Sequence, residues 1–180
     1  MKYKLLLNII LVCSGYSISM CQTHQTIAHP WIINTRFGFV YESPSSLKES
    51  KMQMNDYDEY LIQNHYYSYA KGNFIIINMI MDLKINEFDP QTGLYGAINN
   101  MVSKFGGNNL NLSYSTLFPR GINKECTGFF YRQNEKFLVR GFSYFNTRKR
   151  VFTLISIGPA NNETKNNLNR IFNSIKITEK

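Results

Sequence analysis

Three histidines are the residues of this chain best suited to general base catalysis: His24, His29 and His65. A hydrolytic site needs a histidine within hydrogen-bond reach of a nucleophile, and a third group that orients the ring. The sequence has no Gly-x-Ser-x-Gly motif, and only His65 falls in a predicted strand, beside Tyr66 and Tyr67. We therefore interpret His65 as a half-buried strand residue, and we predict no catalytic residue.

The acidic residues do not show the spacing of a metal site. They form two groups: Asp56, Asp58 and Glu59, and Asp82, Glu87 and Asp89. Neither group has the ligand spacing or the glycine of an EF-hand calcium loop. No glycine-rich loop joins a strand to a helix, since Gly106-Gly107 follows a predicted helix, so a nucleotide-phosphate site is not indicated. We expect no metal and no cofactor.

Two cysteines, Cys21 and Cys126, follow the predicted leader, and they are too far apart in sequence for a zinc motif. In an oxidising compartment they can form a disulfide. Cys21 also stands where bacterial lipoproteins carry their acylated cysteine, although the bulky Met20 precedes it. Lipidation of Cys21, a Cys21–Cys126 disulfide and free thiols all stay open.

Basic and aromatic residues alternate in the second half of the chain, at Arg132, Arg140 and Tyr144. A platform that stacks nucleic-acid bases has this composition, but so does the polar face of any antiparallel sheet. Because tyrosine and arginine are common in protein interfaces, these three residues are our candidates for partner binding. No nucleic-acid partner is expected.

The first twenty residues resemble a secretory signal peptide. Lys2 and Lys4 give a cationic start, an apolar run follows over residues 5–12, and the small Ser19 provides a cleavage position. The alternatives are an uncleaved anchor or a buried N-terminal helix. We predict a signal peptide over 1–20 and an extracytoplasmic location, whether secreted, periplasmic or attached to the envelope.

A tether is predicted over residues 21–34 and a single α+β domain over 35–178. Residues 36–44 alternate as one aromatic strand, and two further strands meet at Lys71-Gly72-Asn73. After a helix and a weaker strand, three apolar runs between Cys126 and Pro159 predict an antiparallel meander. A second helix closes the chain.

The helices show apolar side chains at three- and four-residue spacing. The first is predicted to begin at Asp89 or Thr92 and to end at Gly106-Gly107, and the second to begin at Asn161 or Asn162. The sequence therefore predicts an antiparallel sheet of about six strands flanked by two helices.

Two stretches resemble the PsbP-like family. Residues 37–44 are similar to that family's glycine-containing aromatic strand ending in proline, and residues 169–177 are similar to its final helix. The resemblance covers about 31–177. It implies an α/β/α sandwich and no catalytic residues, in a family whose similar members are mostly envelope lipoproteins, accessory subunits and immunity proteins.

These observations predict an exported, non-enzymatic binding or accessory protein of the cell envelope that acts through a protein partner. Contact with a membrane is expected only through a lipid on Cys21. The alternatives are a toxin-neutralising immunity protein and a hydrolase whose pocket is lined by residues such as His65, Asp82 or Glu87.

Overall fold

The structure is a computed structural model that describes residues 31–50, 60–119 and 121–178. Its elements, in chain order, are β1 (Ile32–Arg36), β2 (Phe39–Ser43), β3 (Lys48–Ser50), β4 (Leu61–Lys71), β5 (Phe74–Leu83), α1 (Pro90–Lys104), β6 (Asn108–Ser115), β7 (Ile122–Arg132), β8 (Glu135–Phe145), β9 (Arg150–Pro159), α2 (Asn162–Asn173) and β10 (Lys176–Ile177).

The strands form two sheets, and all of their pairings are antiparallel. The larger sheet has seven strands in the order β3-β4-β5-β9-β8-β7-β6, and the smaller has three in the order β1-β2-β10. The predicted α+β class with a predominantly antiparallel sheet and two helices is confirmed. The expected number of about six strands was too low.

The two helices cover opposite faces of the larger sheet. Alternate residues of each strand point to opposite sides, so each face contributes its own apolar side chains. On the face that we call the α1 face, Leu94 and Ile98 of α1 pack with Ile77 and Ile155. On the other, the α2 face, Phe172 of α2 lies in the same cluster as strand residues of both sheets. The α2 face is therefore covered jointly by α2 and by the smaller sheet.

The aromatic run over 36–44 is not the single strand that the sequence predicts, because it contains the end of β1, a turn and β2. Arg36 pairs with Phe39, so Phe37-Gly38 forms a two-residue turn between β1 and β2. Both turn residues have positive φ, 50° for Phe37 and 85° for Gly38. The alternation of apolar residues continues through this turn, which hides it from a reading of the sequence.

The tether predicted over 21–34 overlaps the fold at its end, because Ile32–Asn34 belong to β1. Asn34 is buried, and its side-chain amide donates to the Ser43 hydroxyl at 2.8 Å. The remainder of the tether and the predicted signal peptide lie outside the described residues, apart from Trp31.

The predicted meander is confirmed as β7, β8 and β9. Its centre is thin at Gly141, where an added Cβ would lie 2.9 Å from a Leu94 methyl and 3.0 Å from an Ile98 methyl. Glycine thus lets α1 approach the sheet closely.

Both helices begin at predicted caps. The Asp89 carboxylate accepts from the Gln91 and Thr92 backbone N–H groups, and the Asn161 side chain accepts from the Thr164 N–H.

Candidate functional site

The turn between β1 and β2 places a large aromatic ring at the surface. Phe37 is 44% exposed. A two-residue hairpin turn with positive φ at both positions favours Asn-Gly, because a side chain with a bulky Cβ substituent is strained there. The backbone conformation of Phe37 therefore costs free energy. We look to the contacts of its side chain to explain why phenylalanine occupies this position.

The Phe37 ring lies between two residues of the larger sheet. The Arg150 Cζ lies 4.6 Å from the ring centroid, and the His65 ring centroid lies 5.0 Å away. An arginine over an aromatic face at such a distance contributes about 0.5–1 kcal/mol at an exposed site. These contacts fix the ring in one place and offset part of the turn's strain.

Arg150 is itself held in place by Asp82, its direct cross-strand neighbour on β5. Arg150 Nε donates to Asp82 Oδ1 at 2.5 Å, and Nη2 donates to Oδ2 at 2.8 Å. This two-point contact fixes the guanidinium plane under the Phe37 ring. Arg150 is the last residue of the basic run Arg148-Lys149-Arg150, and its side chain is bound to the neighbouring strand.

A second stack continues from His65 along the α2 face. The His65 and Tyr67 rings are nearly parallel, with centroids 6.3 Å apart, and the Arg36 Cζ lies 4.4 Å above the Tyr67 ring. Burial raises the pKa of the Tyr67 hydroxyl, and the nearby Glu49 carboxylate raises it further, so Tyr67 stays neutral. We call this cluster the Phe37 surface: Arg36, Phe37, Glu49, Gln63, His65, Tyr67, Asp82 and Arg150.

The contacts of His65 are not those of a general base beside a nucleophile. Its Nε2 lies 2.7 Å from Gln63 Nε2, and its Nδ1 lies 3.4 Å from Glu49 Oε1. Both ring nitrogens thus face an amide and a carboxylate rather than a hydroxyl or thiol. His65 is half-buried on a strand, in agreement with the interpretation from sequence.

The three residues predicted to bind a partner are not brought together. Arg132 lies on the α1 face, where its Cζ is 4.3 Å above the Phe105 ring. Arg140 and Tyr144 lie on the α2 face. Arg132 lies on the opposite side of the sheet from Arg140 and Tyr144, because the register of β7 with β8 pairs Arg140 with Thr127. Partner binding by these three residues stays a prediction.

Arg140 is engaged inside the fold. It contacts Glu125 through Nε and Nη2, both at 2.6 Å, and its Nη1 donates to Asn169 Oδ1 at 3.2 Å. Its Cζ also lies 5.1 Å above the Phe172 ring. Arg140 therefore joins β7, β8 and α2, and it is not a free cation.

Tyr144 lines a separate groove of about 370 Å³ with neighbours that include Ile122, Asn146 and Lys149. Its ring packs so close to Gly121 that a Cβ there would lie 2.5 Å from it.

Cys126 is a buried free thiol in the core beneath α1. Burial raises its pKa to about 12, although a backbone contact with Gly141 acts in the opposite direction. Cys21 lies outside the described residues, so its predicted lipidation or pairing stays a prediction.

Two of the acidic residues Asp82, Glu87 and Asp89 have partners within the fold. Asp82 pairs with Arg150, and Asp89 caps α1. Nowhere within residues 31–50, 60–119 and 121–178 do three or more His, Cys, Asp or Glu residues gather in a metal-binding arrangement. In the same ranges no helix combines the length and apolar character needed to cross a membrane.

Two solved structures are similar to this chain over most of their length. The Ran-binding protein Mog1p of Saccharomyces cerevisiae is 8% identical, with a TM-score of 0.47, over 84% of this chain and 97% of that one. LpqN of Mycobacterium tuberculosis, which is involved in cell envelope biogenesis, is 16% identical, with a TM-score of 0.43, over 83% of this chain and 90% of that one. No family model and no curated protein matches the chain.

With TM-scores under 0.5, neither likeness decides a function. The architecture is consistent with the PsbP-like resemblance, and membership of that family stays a prediction. Any function must therefore be inferred from the chain's own residues.

Sequence reasoning missed the Phe37 surface. Asp82 and Arg150 are far apart in the chain, and only the pairing of β5 with β9 brings them together. The one local signal is Phe37-Gly38, an aromatic residue before a glycine within an alternating run. The alternation of apolar residues across Phe37-Gly38 favours a continuous strand, so this local signal alone does not predict the turn.

Proposed function

We propose that this chain is an exported, non-enzymatic protein that acts by binding a protein partner at the Phe37 surface. The observation that supports the proposal is Phe37, a large aromatic side chain that remains 44% exposed on a turn where asparagine is favoured. Residues kept in costly backbone conformations are concentrated at functional sites.

The composition of the surface fits a protein interface. Aromatic residues and arginine are enriched in the centres of interfaces, and they supply most of the residues whose truncation weakens binding strongly. Here Phe37 stands beside Arg36 and Arg150, with Glu49 at the margin. A partner can bury the Phe37 ring while its polar groups meet the surrounding charges.

The rigidity of the surface favours binding as well. Arg150 is held by Asp82 and Phe37 before any partner arrives. Ordering a free arginine side chain at an interface costs about 0.5–1.5 kcal/mol, and a side chain that is already ordered avoids much of that cost.

The non-enzymatic part of the proposal is supported by the surroundings of His65, whose ring nitrogens face Gln63 and Glu49. The extracytoplasmic location is supported by the signal-like composition of residues 1–20. We extend the proposal to an accessory role at the cell envelope, which an exported protein without enzymatic activity can fill.

The binding proposal is tested by site-specific photocross-linking in the cells that make the protein. Benzoylphenylalanine replaces Phe37 in the full chain, and the matched control carries it at Gln133, which occupies the other two-residue turn with positive φ at both positions. We expect a discrete protein adduct from position 37 that is absent from position 133, and we expect Arg150→Met to reduce it. Equal adducts at both positions, or none at position 37, would contradict the proposal.

Two measurements test the remaining parts. The N-terminus of the protein recovered from those cells should be at residue 20 or 21, and recovery of an unprocessed cytoplasmic chain would refute export. A hydrolase substrate panel should give no turnover. Turnover that His65→Ala abolishes would show an enzyme instead.

A further inference from the structure

The two edges of the seven-stranded sheet differ in how they are protected. At one edge, β3 has three residues, including the charged Lys48 and Glu49. At the other, β6 has eight residues, Asn108–Ser115, with neither a charged residue nor a proline. Short length and charge are the usual means by which edge strands avoid pairing with other chains. β6 lacks both.

Part of β6 forms a regular edge. The register against β7 shifts between Asn108 and Asn111, and Asn109 has a φ of 53°, which marks a bulge at the beginning of the strand. From Asn111 to Ser115 the register is continuous. These residues present main-chain N–H and C=O groups on the side away from β7, where no further strand is paired within the part of the chain that the structure describes.

The side chains of β6 offer an apolar row on one face. Leu110, Leu112 and Tyr114 are partly buried against the cluster beneath α1, whereas Asn111 and Ser113 are exposed. An added strand would extend this row beside α1. Tyr95 of α1 is 51% exposed. It lies near the Tyr114 hydroxyl, whose pKa is raised to about 12 first by burial and then by Cys126 and Tyr95. An alternating apolar residue of an incoming strand would bury part of Tyr95.

Cations stand at both ends of β6, and they distinguish between occupants. Lys104, in the last turn of α1, and Arg132, which stacks on Phe105, lie toward the beginning of the strand. Lys124 lies at the other end, where its Nζ donates to the Thr116 hydroxyl at 3.4 Å. The Asp89 carboxylate, which caps α1, also interacts with Lys124: its pKa is lowered first by the hydrogen bond from the Thr92 side chain, then by the cap N–H groups, and also by the Lys124 charge.

A second copy of this chain is the poorer occupant. Antiparallel pairing of β6 with its copy would bring Lys104 and Arg132 of one chain toward Lys124 of the other, and like charges at close range are unfavourable. An extended segment with carboxylates on both sides of an uncharged stretch meets the same cations favourably.

We propose that residues Asn111–Ser115 of β6 bind, by strand addition, an extended segment of a protein partner that carries acidic residues on both sides of an alternating, uncharged stretch. Main-chain hydrogen bonds supply the affinity, the row of Leu112 and Tyr114 selects alternating apolar side chains, and the flanking cations select the acidic ends. This site is distinct from the Phe37 surface, since β7 and β8 separate β6 from β9.

The probe is the synthetic peptide Asp-Glu-Thr-Val-Thr-Val-Thr-Val-Glu-Asp, titrated into the isotopically labelled protein. We expect the amide signals of Asn111–Ser115 to shift and their hydrogen exchange to slow. The same peptide with lysine at its four acidic positions should bind about tenfold more weakly, or not at all. A peptide with proline in place of the central valine should also fail, because it removes a main-chain donor and breaks the extended pairing.

A charge exchange on the protein provides the second arm. Lys104→Glu with Lys124→Glu should lower the affinity for the acidic peptide about tenfold and raise that for the lysine peptide. The matched control, Lys71→Glu with Lys165→Glu, has the same net charge and changes exposed cations elsewhere. It should leave both affinities within about twofold.

Three outcomes would overturn the proposal. One is binding that shifts signals elsewhere and spares β6, and another is the absence of binding by either peptide. The third is protein that dimerises in sedimentation while β6 becomes protected, which would assign the edge to a second copy. Photocross-linking at position 37 is unaffected by these results, so the two sites succeed or fail separately.

Discussion

Two places on the α2 face contain the same three groups, an arginine, a carboxylate from a neighbouring strand and a phenylalanine ring. In one, Arg140 contacts Glu125 at 2.6 Å and lies beneath the Phe172 ring. In the other, Arg150 contacts Asp82 at 2.5 Å and lies beside the Phe37 ring. The chemistry is nearly identical, and the sources of the two rings differ.

Phe172 belongs to α2, is 1% exposed and closes over its arginine. The Arg140 and Glu125 side chains are accordingly 14% and 8% exposed, against 22% for both members of the Arg150 pair. Phe37 comes from a turn, and its ring remains 44% exposed although Arg150 and His65 contact it. The same groups therefore hold a helix to the sheet in one place and leave an ordered aromatic surface for a partner in the other.

The largest expected contrast is in thiol reactivity, between the core beneath α1 and the Phe37 turn. Cys126 follows Glu125 in β7 but lies on the α1 face, and burial raises its pKa from the ordinary value of 9.0 to about 12. At pH 8 its thiolate fraction is about a thousandfold lower than that of an exposed cysteine, because the fraction falls tenfold per unit of pKa. Alkylation of Cys126, compared with that of a cysteine introduced by Phe37→Cys, should be slower by at least that factor.

Peptide mapping measures the alkylation of Cys126 separately from that of Cys21. Equal alkylation rates at Cys126 and at the cysteine introduced at position 37 would mean that the core beneath α1 opens readily.

The raised pKa of Cys126 also affects stability. Since the folded state holds the Cys126 thiol protonated, its contribution to stability is present below about pH 9 and is lost as the pH rises toward 12.

Truncating the two rings should have very different effects on stability. Phe172→Ala empties a packed position and should lower the free energy of unfolding by about 3–5 kcal/mol. Phe37→Ala removes a half-exposed ring and should cost less than about 1 kcal/mol. Urea unfolding measures both. Similar losses would show that Phe37 is a core residue and that the comparison fails.

Removing the two arginines should give a smaller contrast. Arg140→Met leaves Glu125 buried without its cation and should cost about 3 kcal/mol, whereas Arg150→Met should cost about 1 kcal/mol because Asp82 can reach water. Adding Glu125→Leu to Arg140→Met should restore most of the loss, since no unpaired charge then remains. If the double variant is no more stable than the single one, the loss arises from packing rather than from charge.

The sequence predicted what local patterns control. The turn at Lys71-Gly72-Asn73, the meander and the caps Asp89 and Asn161 all follow from residues within a few positions of each other. The Phe37 surface could not be found in this way. Its turn lies within an alternation of apolar residues that continues through it, and its other residues come from β1, β3, β4, β5 and β9.

Charge and exposure were predicted least well, because they depend on register. The alternation of β8 indicated Arg140 only as a candidate for partner binding, and the pairing with β7 and the position of α2 show that Glu125 and Asn169 contact its side chain. Arg132 was grouped with it although the turn at Gln133-Asn134 sets them on opposite faces.

The smallest expected effect is that of Phe37→Asn on stability. It tests whether phenylalanine is retained in the turn for contacts within the chain or for a partner. Phe37→Asn relieves a strain of about 1 kcal/mol and loses ring contacts worth about 0.5–1 kcal/mol, so the stability should change little. The matched change Gln133→Asn relieves a similar strain at a φ of 51° and should stabilise the protein by up to about 1 kcal/mol. Thermal and urea unfolding measure the change in unfolding free energy for each variant. The difference between the two changes is the free energy that the Phe37 ring contributes through contacts within the chain. If Phe37→Asn instead destabilises the protein by more than about 1 kcal/mol, the ring is retained for contacts within the chain, and its exposure needs no partner to explain it.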